Sequence, residues 1–150
     1  MAKRQNRVVG AFLKIPLGDG EYGYGRILEE ALFAFYDIKA SQPVSLMEVE
    51  SKPILFKIWV MRNSVGSGRW EIVGNKPLEE NLKGQPHFFK IDPISKAISI
   101  YHRSQERPAT VEECEGLECA AVWSAVHVED RLRDHFLGRP NKWVEIMKIK

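Results

Sequence analysis

The strongest constraint on the fold is a predicted β-hairpin centred on Asp19-Gly20. Apolar residues occupy alternate positions before this pair, and tyrosines alternate with glycines after it. Period-two alternation on both sides of an Asp-Gly pair is typical of a hairpin, because tight hairpin turns need positive φ angles that Asp-Gly adopts cheaply. We therefore predict one strand over about Val8–Ile15 and a second over about Glu21–Leu28.

Other stretches favour strands through their β-branched and aromatic residues. The predicted strands are about Leu32–Tyr36, Ile54–Met61, Trp70–Val73, His87–Ile91, Ala97–His102, Cys119–Trp123 and about Lys142–Lys148. The most apolar, Ile54–Met61, is expected to be a buried central strand with Trp70–Val73 as its partner. His87–Ile91 and Ala97–His102 are expected to pair around an Asp92-Pro93 turn. We interpret Ser41–Lys52 as mostly loop and Gln105–Pro108 as a break in the strand pattern.

One stretch, Ser124–Leu137, has the pattern of a long helix. Val128, Leu132 and Phe136 form an apolar stripe, Ser124 is placed to cap the start, and Gly138 and then Pro140 are stop signals. Within it, Glu129 and Arg133 are spaced as an i, i+4 ion pair. A shorter helix is predicted to begin at the capping-box sequence Thr110–Glu113.

Together these elements predict an α+β protein. We expect a strongly bent antiparallel sheet or barrel of about seven strands, with one main helix near the C-terminus. The length of 150 residues is consistent with a single domain over 1–150. Residues 1–7 are expected to form a flexible arm, because they are basic and polar.

Composition narrows the environment and the partners. The 22 basic and 20 acidic residues create no strong overall field for nucleic acid or membrane. Cys114 and Cys119 do not form a disulfide framework, and no stretch is long and apolar enough for a signal peptide or a membrane span. We therefore expect a cytoplasmic protein with free thiols.

The residues carry no catalytic or metal signature that stands out. Gly18–Gly23 fits the G-x-G-x-x-G pattern, but a strand follows it where a phosphate site needs a helix N-terminus. His127, Asp130 and Asp134 would share a helix face, yet no nearby segment completes a metal site. His87 and Asp92 flank a predicted strand and are only a weak candidate for a catalytic acid–base pair. We expect no enzyme activity, cofactor or metal.

Two groups of residues are candidates for contacts with a partner. Tyr22, Tyr24 and Arg26 share one face of the second strand, where they could be core, a protein-binding surface, or a base-stacking surface on a small β-barrel. An acidic segment could be a solvated face or a docking patch for a basic partner. Its carboxylates are Glu112, Glu113, Glu115 and Glu118.

The first hairpin resembles the opening of immunity protein family twenty-six of bacterial polymorphic toxin systems. The similar residues are Ile15, Pro16, Leu17, Gly20, Tyr22, Tyr24 and Gly25. A second similarity is WEIVGNKPL (Trp70–Leu78), followed by HFFKID (His87–Asp92). These stretches cover about half of the chain.

This resemblance implies a small α+β cytoplasmic protein that binds a cognate protein toxin, which a nearby gene would encode. It implies no catalysis and no cofactor, and it identifies no functional residue. Inhibitors that mimic nucleic acid are acidic, whereas this chain is slightly basic, so only the acidic segment could act in that way. The alternative function is that of a small β-barrel module that binds nucleic acid.

Overall fold

The computed structural model describes residues 3–149, which form an α+β protein with ten strands. The strands are β1 (Ala11–Gly18), β2 (Glu21–Ile27), β3 (Leu32–Ala40), β4 (Ile54–Val60), β5 (Glu71–Asn75), β6 (Phe88–Ile91), β7 (Ile98–His102), β8 (Gln105–Pro108), β9 (Glu118–Cys119) and β10 (Val122–Trp123). The α-helices are α1 (Leu46–Glu50), α2 (Asn63–Gly66), α3 (Ala125–Leu137) and α4 (Lys142–Met147). Short 3₁₀ turns lie at Glu80–Leu82 and Glu112–Cys114.

The strands form two sheets, so the expectation of one bent sheet or barrel of about seven strands is only partly correct. The large sheet has the order β10-β4-β3-β2-β1-β5, and the small sheet has the order β8-β7-β6-β9. Neither sheet closes into a barrel. The edge strands are β5 and β10 in the large sheet and β8 and β9 in the small sheet. Both sheets are mixed, since β10 runs parallel to β4 and β9 runs parallel to β6.

The first hairpin forms as predicted, but the partner of β5 differs from the prediction. β1 and β2 pair across the Asp19-Gly20 turn, with Ile15 opposite Gly23. Strand β5 pairs with β1 and not with β4. In this pairing Leu13 of β1 lies opposite Ile72 of β5. The free side of β4 is taken by β10. The choice of partner is a long-range property that adjacent position in the sequence does not determine.

The predicted hairpin of β6 and β7 also forms. Its turn is stabilised by Asp92, whose Oδ1 accepts hydrogen bonds from the backbone N–H groups of Ile94 and Ser95, both at 2.8 Å. Those bonds, with the Ser95 N–H first, lower the pKa of the Asp92 carboxyl. The prediction that Gln105–Pro108 breaks the strand pattern is wrong, because these residues form β8 against β7.

Helix α3 packs on one face of the large sheet and forms the main core with it. Ser124 caps the helix as predicted, by accepting a hydrogen bond from the His127 N–H. Gly138 follows the helix in the left-handed conformation, as the stop signal indicates. The core between helix and sheet contains Ile15, Phe35, Ile58, Trp70, Val128 and Leu132. The opposite face of the sheet is covered near Phe12, Tyr24 and Tyr36 by the short helix α1.

The C-terminal segment is a helix and not the predicted strand Lys142–Lys148. Asn141 caps α4, because its Oδ1 accepts a hydrogen bond from the Val144 N–H at 3.1 Å. Trp143, Val144 and Met147 pack on the main core with helical spacing. A short apolar run fits both periodicities, and here packing on the core favours the helix. The predicted loop 41–52 likewise contains α1, which Ser45 caps through the Glu48 N–H.

The flexible arm predicted over residues 1–7 begins outside the described residues, and its mobility stays a prediction. Within the described part, Gln5 binds the open edge of β5. Its Nε2 donates to the carbonyl of Trp70 at 2.7 Å, and its Oε1 accepts from the Ile72 N–H at 2.8 Å. The side-chain amide therefore supplies the donor and the acceptor that a neighbouring strand would supply, which protects the edge from pairing with another chain.

Gly25 lies where the core leaves no room for a side chain, so a larger residue there should destabilise the protein. A Cβ at Gly25 would lie 3.1 Å from the backbone oxygen of Ala34 and 3.2 Å from side-chain atoms of Ile15 and Phe35. Because the core is closely packed, Gly25→Ala should lower the free energy of unfolding by about 1–3 kcal/mol. Urea denaturation followed by circular dichroism measures this loss.

Gly23→Ala is the matched control in the same strand and on the same face. A Cβ at Gly23 would meet Leu132 and Leu17 at 3.5 Å, an ordinary contact distance. Neither glycine has a left-handed backbone, so available space decides the outcome. Gly23→Ala should change the stability by less than about 1 kcal/mol. Equal losses for the two variants would contradict this account.

Candidate functional site

Two of the predicted contact residues, Tyr24 and Arg26, belong to the interior and cannot form an exposed surface. Tyr24 is 3 % exposed and Arg26 is fully buried. The Arg26 guanidinium lies over the ring of Phe12, at 4.0 Å from its centroid, and donates hydrogen bonds to the Tyr36 hydroxyl and to Glu79. This result removes two of the three side chains from the base-stacking surface that the nucleic-acid alternative required.

The third residue of that group, Tyr22, is half-buried at the surface. The Nζ of Lys14 lies 3.9 Å from the centroid of its ring, in a cation–π contact. Tyr22 lines a shallow basic hollow with Lys3, Lys14 and Arg69. It is therefore the one residue of the three that a partner could reach.

The acidic segment divides into carboxylates with internal partners and carboxylates without them. Glu113 and Thr110 form the predicted capping box, in which each side chain accepts a hydrogen bond from the other's backbone N–H. Glu113 also accepts from Arg107 at 3.0 Å. The bond from the Thr110 N–H, followed by the Arg107 guanidinium, lowers the pKa of the Glu113 carboxyl.

Glu118 is held more firmly than Glu113. Both of its oxygens accept hydrogen bonds from Arg131 at 2.8 Å, and the Arg131 guanidinium lies 3.6 Å from the ring centroid of Phe56. By contrast, Glu112 and Glu115 are exposed, and neither forms an ion pair with another residue of the described chain. A docking patch in this segment would therefore depend mainly on Glu112 and Glu115.

His127 and Asp130 of α3 both contact Trp143 of α4. His127 stacks on Trp143 at 3.7 Å between ring centroids, and Asp130 accepts a hydrogen bond from the indole of Trp143. His87 stacks on His102 at 3.9 Å, whereas the Asp92 carboxylate accepts the turn hydrogen bonds from Ile94 and Ser95. Within residues 3–149, no group of three or more potential ligands is placed to hold a metal ion.

The two cysteines are free thiols within the described structure. Cys114 is buried against Phe89 and Ile100 in the core of the small sheet. Burial raises the pKa of the thiols of both Cys114 and Cys119, which keeps them protonated near neutral pH and weakly nucleophilic. Nothing in this arrangement resembles an activated cysteine.

A cleft of about 520 Å³ opens where the two sheets meet, and we call it the inter-sheet cleft. Its central side chains are Trp59 on β4 and Tyr101 on β7, whose rings meet edge to face at 5.7 Å. Neither Trp59 nor Tyr101 is among the contact residues predicted from the sequence. A signal was available in β4, where Lys57 marks the less buried face and Trp59 follows it two positions later.

No helix of the described chain is long and apolar enough to cross a membrane. Neither a comparison with curated proteins nor one with solved structures finds a match. The family model described as Immunity protein 26 matches residues 8–106. The match includes β1 to β7, the first half of β8 and nearly all of the inter-sheet cleft, whereas the acidic segment and α3 lie beyond it. Because the match covers more than half of the 150 residues, the chain belongs to the Immunity protein 26 family.

Proposed function

We propose that this chain binds and neutralises a cognate bacterial protein toxin, without catalysis, in the cytoplasm of the cell that produces both. The observation that carries the proposal is the family match over residues 8–106. Neutralisation would occur by occlusion, in which a stable surface covers the part of the toxin that reaches its target. The toxin would be the product of a neighbouring gene of a polymorphic toxin system.

The structure supports a role in binding through the rigidity of its scaffold. Helix α3 is joined to the large sheet by Glu129, which accepts hydrogen bonds from Arg69 and Trp70, and by Leu132, which is fully buried. A surface that is already ordered loses little conformational entropy when its partner binds, so more of the interaction energy appears as affinity.

The direct test is co-expression with the toxin encoded beside this gene. Growth of cells that express the toxin should be restored by this chain. The two purified proteins should also elute together from a sizing column. A chain that neither restores growth nor forms a complex would refute the proposal, and an unrelated immunity protein serves as the control for rescue.

We also propose that the acidic segment contacts the toxin through Glu112 and Glu115. Glu112→Lys combined with Glu115→Lys should lower the affinity about tenfold or more, mainly through a slower association rate. Because neither carboxylate has an ion-pair partner within the described residues, the double variant should melt at the same temperature as the parent. Surface plasmon resonance gives both rate constants.

Glu80→Lys provides the control for the change in charge. The Glu80 side chain is 91 % exposed, and within residues 3–149 it forms one ion pair, with Lys83 in the same turn. Charge reversal there should leave toxin affinity within about twofold of the parent value. Unchanged affinity for the Glu112 and Glu115 variant would remove the acidic segment from the interface, while the proposal of toxin binding would stand on its own test.

A further inference from the structure

The inter-sheet cleft has the chemistry of a protein-binding hot spot. Trp59 and Tyr101 are half-buried, so each keeps part of its ring accessible. Trp59 also packs on Phe88, with 4.3 Å between ring centroids. Tryptophan, tyrosine and arginine contribute most of the energy in protein interfaces, and Arg103 stands at the mouth of this cleft.

The floor of the cleft is held in place by Gln85. Its side-chain oxygen accepts a hydrogen bond from the Trp59 indole at 3.2 Å, and its amide nitrogen donates to the carbonyl of Glu29 at 3.1 Å. The backbone carbonyl of Gln85 lies 3.0 Å from Nε2 of His102. One residue therefore ties together β4, the β2–β3 turn and β7, so the cleft is formed before any partner arrives.

Three residues of the cleft walls have a left-handed backbone, which is costly for residues other than glycine. Glu30, Arg103 and Ser104 have φ angles of 56°, 50° and 68°. Arg103 and Ser104 form the two-residue turn between β7 and β8, where Asn-Gly would adopt positive φ more easily. A non-glycine residue in this region costs about 1 kcal/mol or more. The fold alone does not require an arginine at this position.

The two charged side chains of the cleft walls, Arg103 and Glu30, are not neutralised by other residues of the described chain. Within the described residues, neither Arg103 nor Glu30 forms an ion pair, although both are exposed. The Arg103 guanidinium lies over Gly84, where an added Cβ would come within 3.3 Å of its Nη2. The cleft therefore has a cation on one wall, an uncompensated carboxylate on another, and an aromatic floor between them.

We infer that the inter-sheet cleft is the anchor site for the toxin, and that it receives an apolar toxin side chain flanked by a carboxylate that pairs with Arg103. This inference rests on the proposed function. The volume of about 520 Å³ suits one or two side chains of a protein segment. All lining residues except Val122 fall inside the family match.

The cleft also lies beside the region that bears the acidic segment. Pro86 lines both the inter-sheet cleft and a neighbouring groove that is lined by Glu113 and Glu118. A single toxin surface could therefore cover the cleft and the acidic segment together. The cleft would supply the anchor, and Glu112 and Glu115 would steer the approach of a basic region.

The test compares toxin affinity between cleft variants and a matched control in the full chain. Arg103→Glu and Trp59→Ala should each weaken binding of the neighbouring-gene toxin about tenfold or more. Arg103→Lys keeps the charge but loses the planar fork, so it should retain more affinity than Arg103→Glu. Isothermal titration calorimetry measures the dissociation constants, and thermal melts check folding.

Lys96→Glu is the control, because Lys96 is an exposed cation with a φ of 64° in the other hairpin turn of the same sheet. It should bind within about twofold of the parent. Parental affinity for Arg103→Glu, or an equal loss for Lys96→Glu, would overturn the inference and leave the proposed function intact. A parent chain that fails to bind the toxin would refute the proposed function first, and this inference with it. Arg103 lies on an exposed turn, so its variants keep the test valid even if Trp59→Ala unfolds.

Discussion

Replacing Arg26 with alanine is expected to lower the free energy of unfolding by about 3–5 kcal/mol. The guanidinium is fully buried and donates hydrogen bonds to the carbonyls of Gly10, Lys76 and Pro77 at 2.7–3.2 Å. Alanine would leave these acceptors without their donor and would open a cavity beside Phe12. Since small domains are stable by about 5–15 kcal/mol, the variant should lose a large part of its stability. Urea denaturation of purified protein measures the loss.

Glu79→Gln removes the negative charge beside Arg26 but leaves the hydrogen bonds from the guanidinium to the backbone carbonyls. The variant therefore measures the contribution of the ion pair. The Glu79 side chain is 44 % exposed, so its ion pair with Arg26 is screened by solvent. Glu79→Gln should therefore cost less than about 1 kcal/mol. A loss below about 1 kcal/mol for Arg26→Ala itself would show that water replaces the guanidinium, and would contradict the account.

Arg26 also shows where reasoning from sequence reaches its limit. Alternation in β2 correctly placed Tyr24 and Arg26 on one face and the two glycines on the other. It could not show that both faces are covered, because the cover comes from residues distant in the chain: α3 on one side, and α1 with Lys76–Glu79 on the other. An arginine on a strand resembles a surface residue until its acceptors are known.

The features that could be predicted are those encoded by neighbouring residues. The β1–β2 hairpin, the β6–β7 hairpin, helix α3 with its caps and the capping box at Thr110 all depend on local turn and cap chemistry. The division into two sheets depends on long-range pairing, such as β5 with β1 and β9 with β6. Local periodicity contains no information about which distant strand completes a sheet.

The same distinction applies to the candidate contact surfaces. The acidic segment was visible as a run of glutamates, but the division between paired and free carboxylates depends on how the chain folds Arg107 of β8 and Arg131 of α3 against it. The inter-sheet cleft is assembled from the β2–β3 turn, β4, residues 84–86, β7 with the turn that follows it, and β10. A site built from five separate stretches leaves no continuous motif to find.

The second large effect is expected at Glu129, which the sequence paired incorrectly with Arg133. Arg133 instead pairs with Asp130, while the Glu129 carboxylate accepts hydrogen bonds from Arg69 at 2.7 Å and from the buried indole of Trp70 at 2.8 Å. Glu129→Leu should lower the free energy of unfolding by about 2–4 kcal/mol, because it leaves the Trp70 N–H buried without an acceptor. Arg69→Met should also cost about 1–3 kcal/mol, because it leaves the Glu129 carboxylate, whose side chain is 4 % exposed, without its cation.

A double-mutant cycle with Trp70→Phe isolates the contribution of the buried indole hydrogen bond. Phenylalanine removes the donor, so in the Trp70→Phe background Glu129→Leu no longer leaves an unpaired N–H. The loss for Glu129→Leu should therefore be smaller in that background, with a coupling energy of about 1–2 kcal/mol. Additive losses would mean that Glu129 acts only through Arg69 and the packing of α3. A positive coupling would establish that the Glu129 carboxylate attaches α3 to the rest of the core through the buried indole of Trp70.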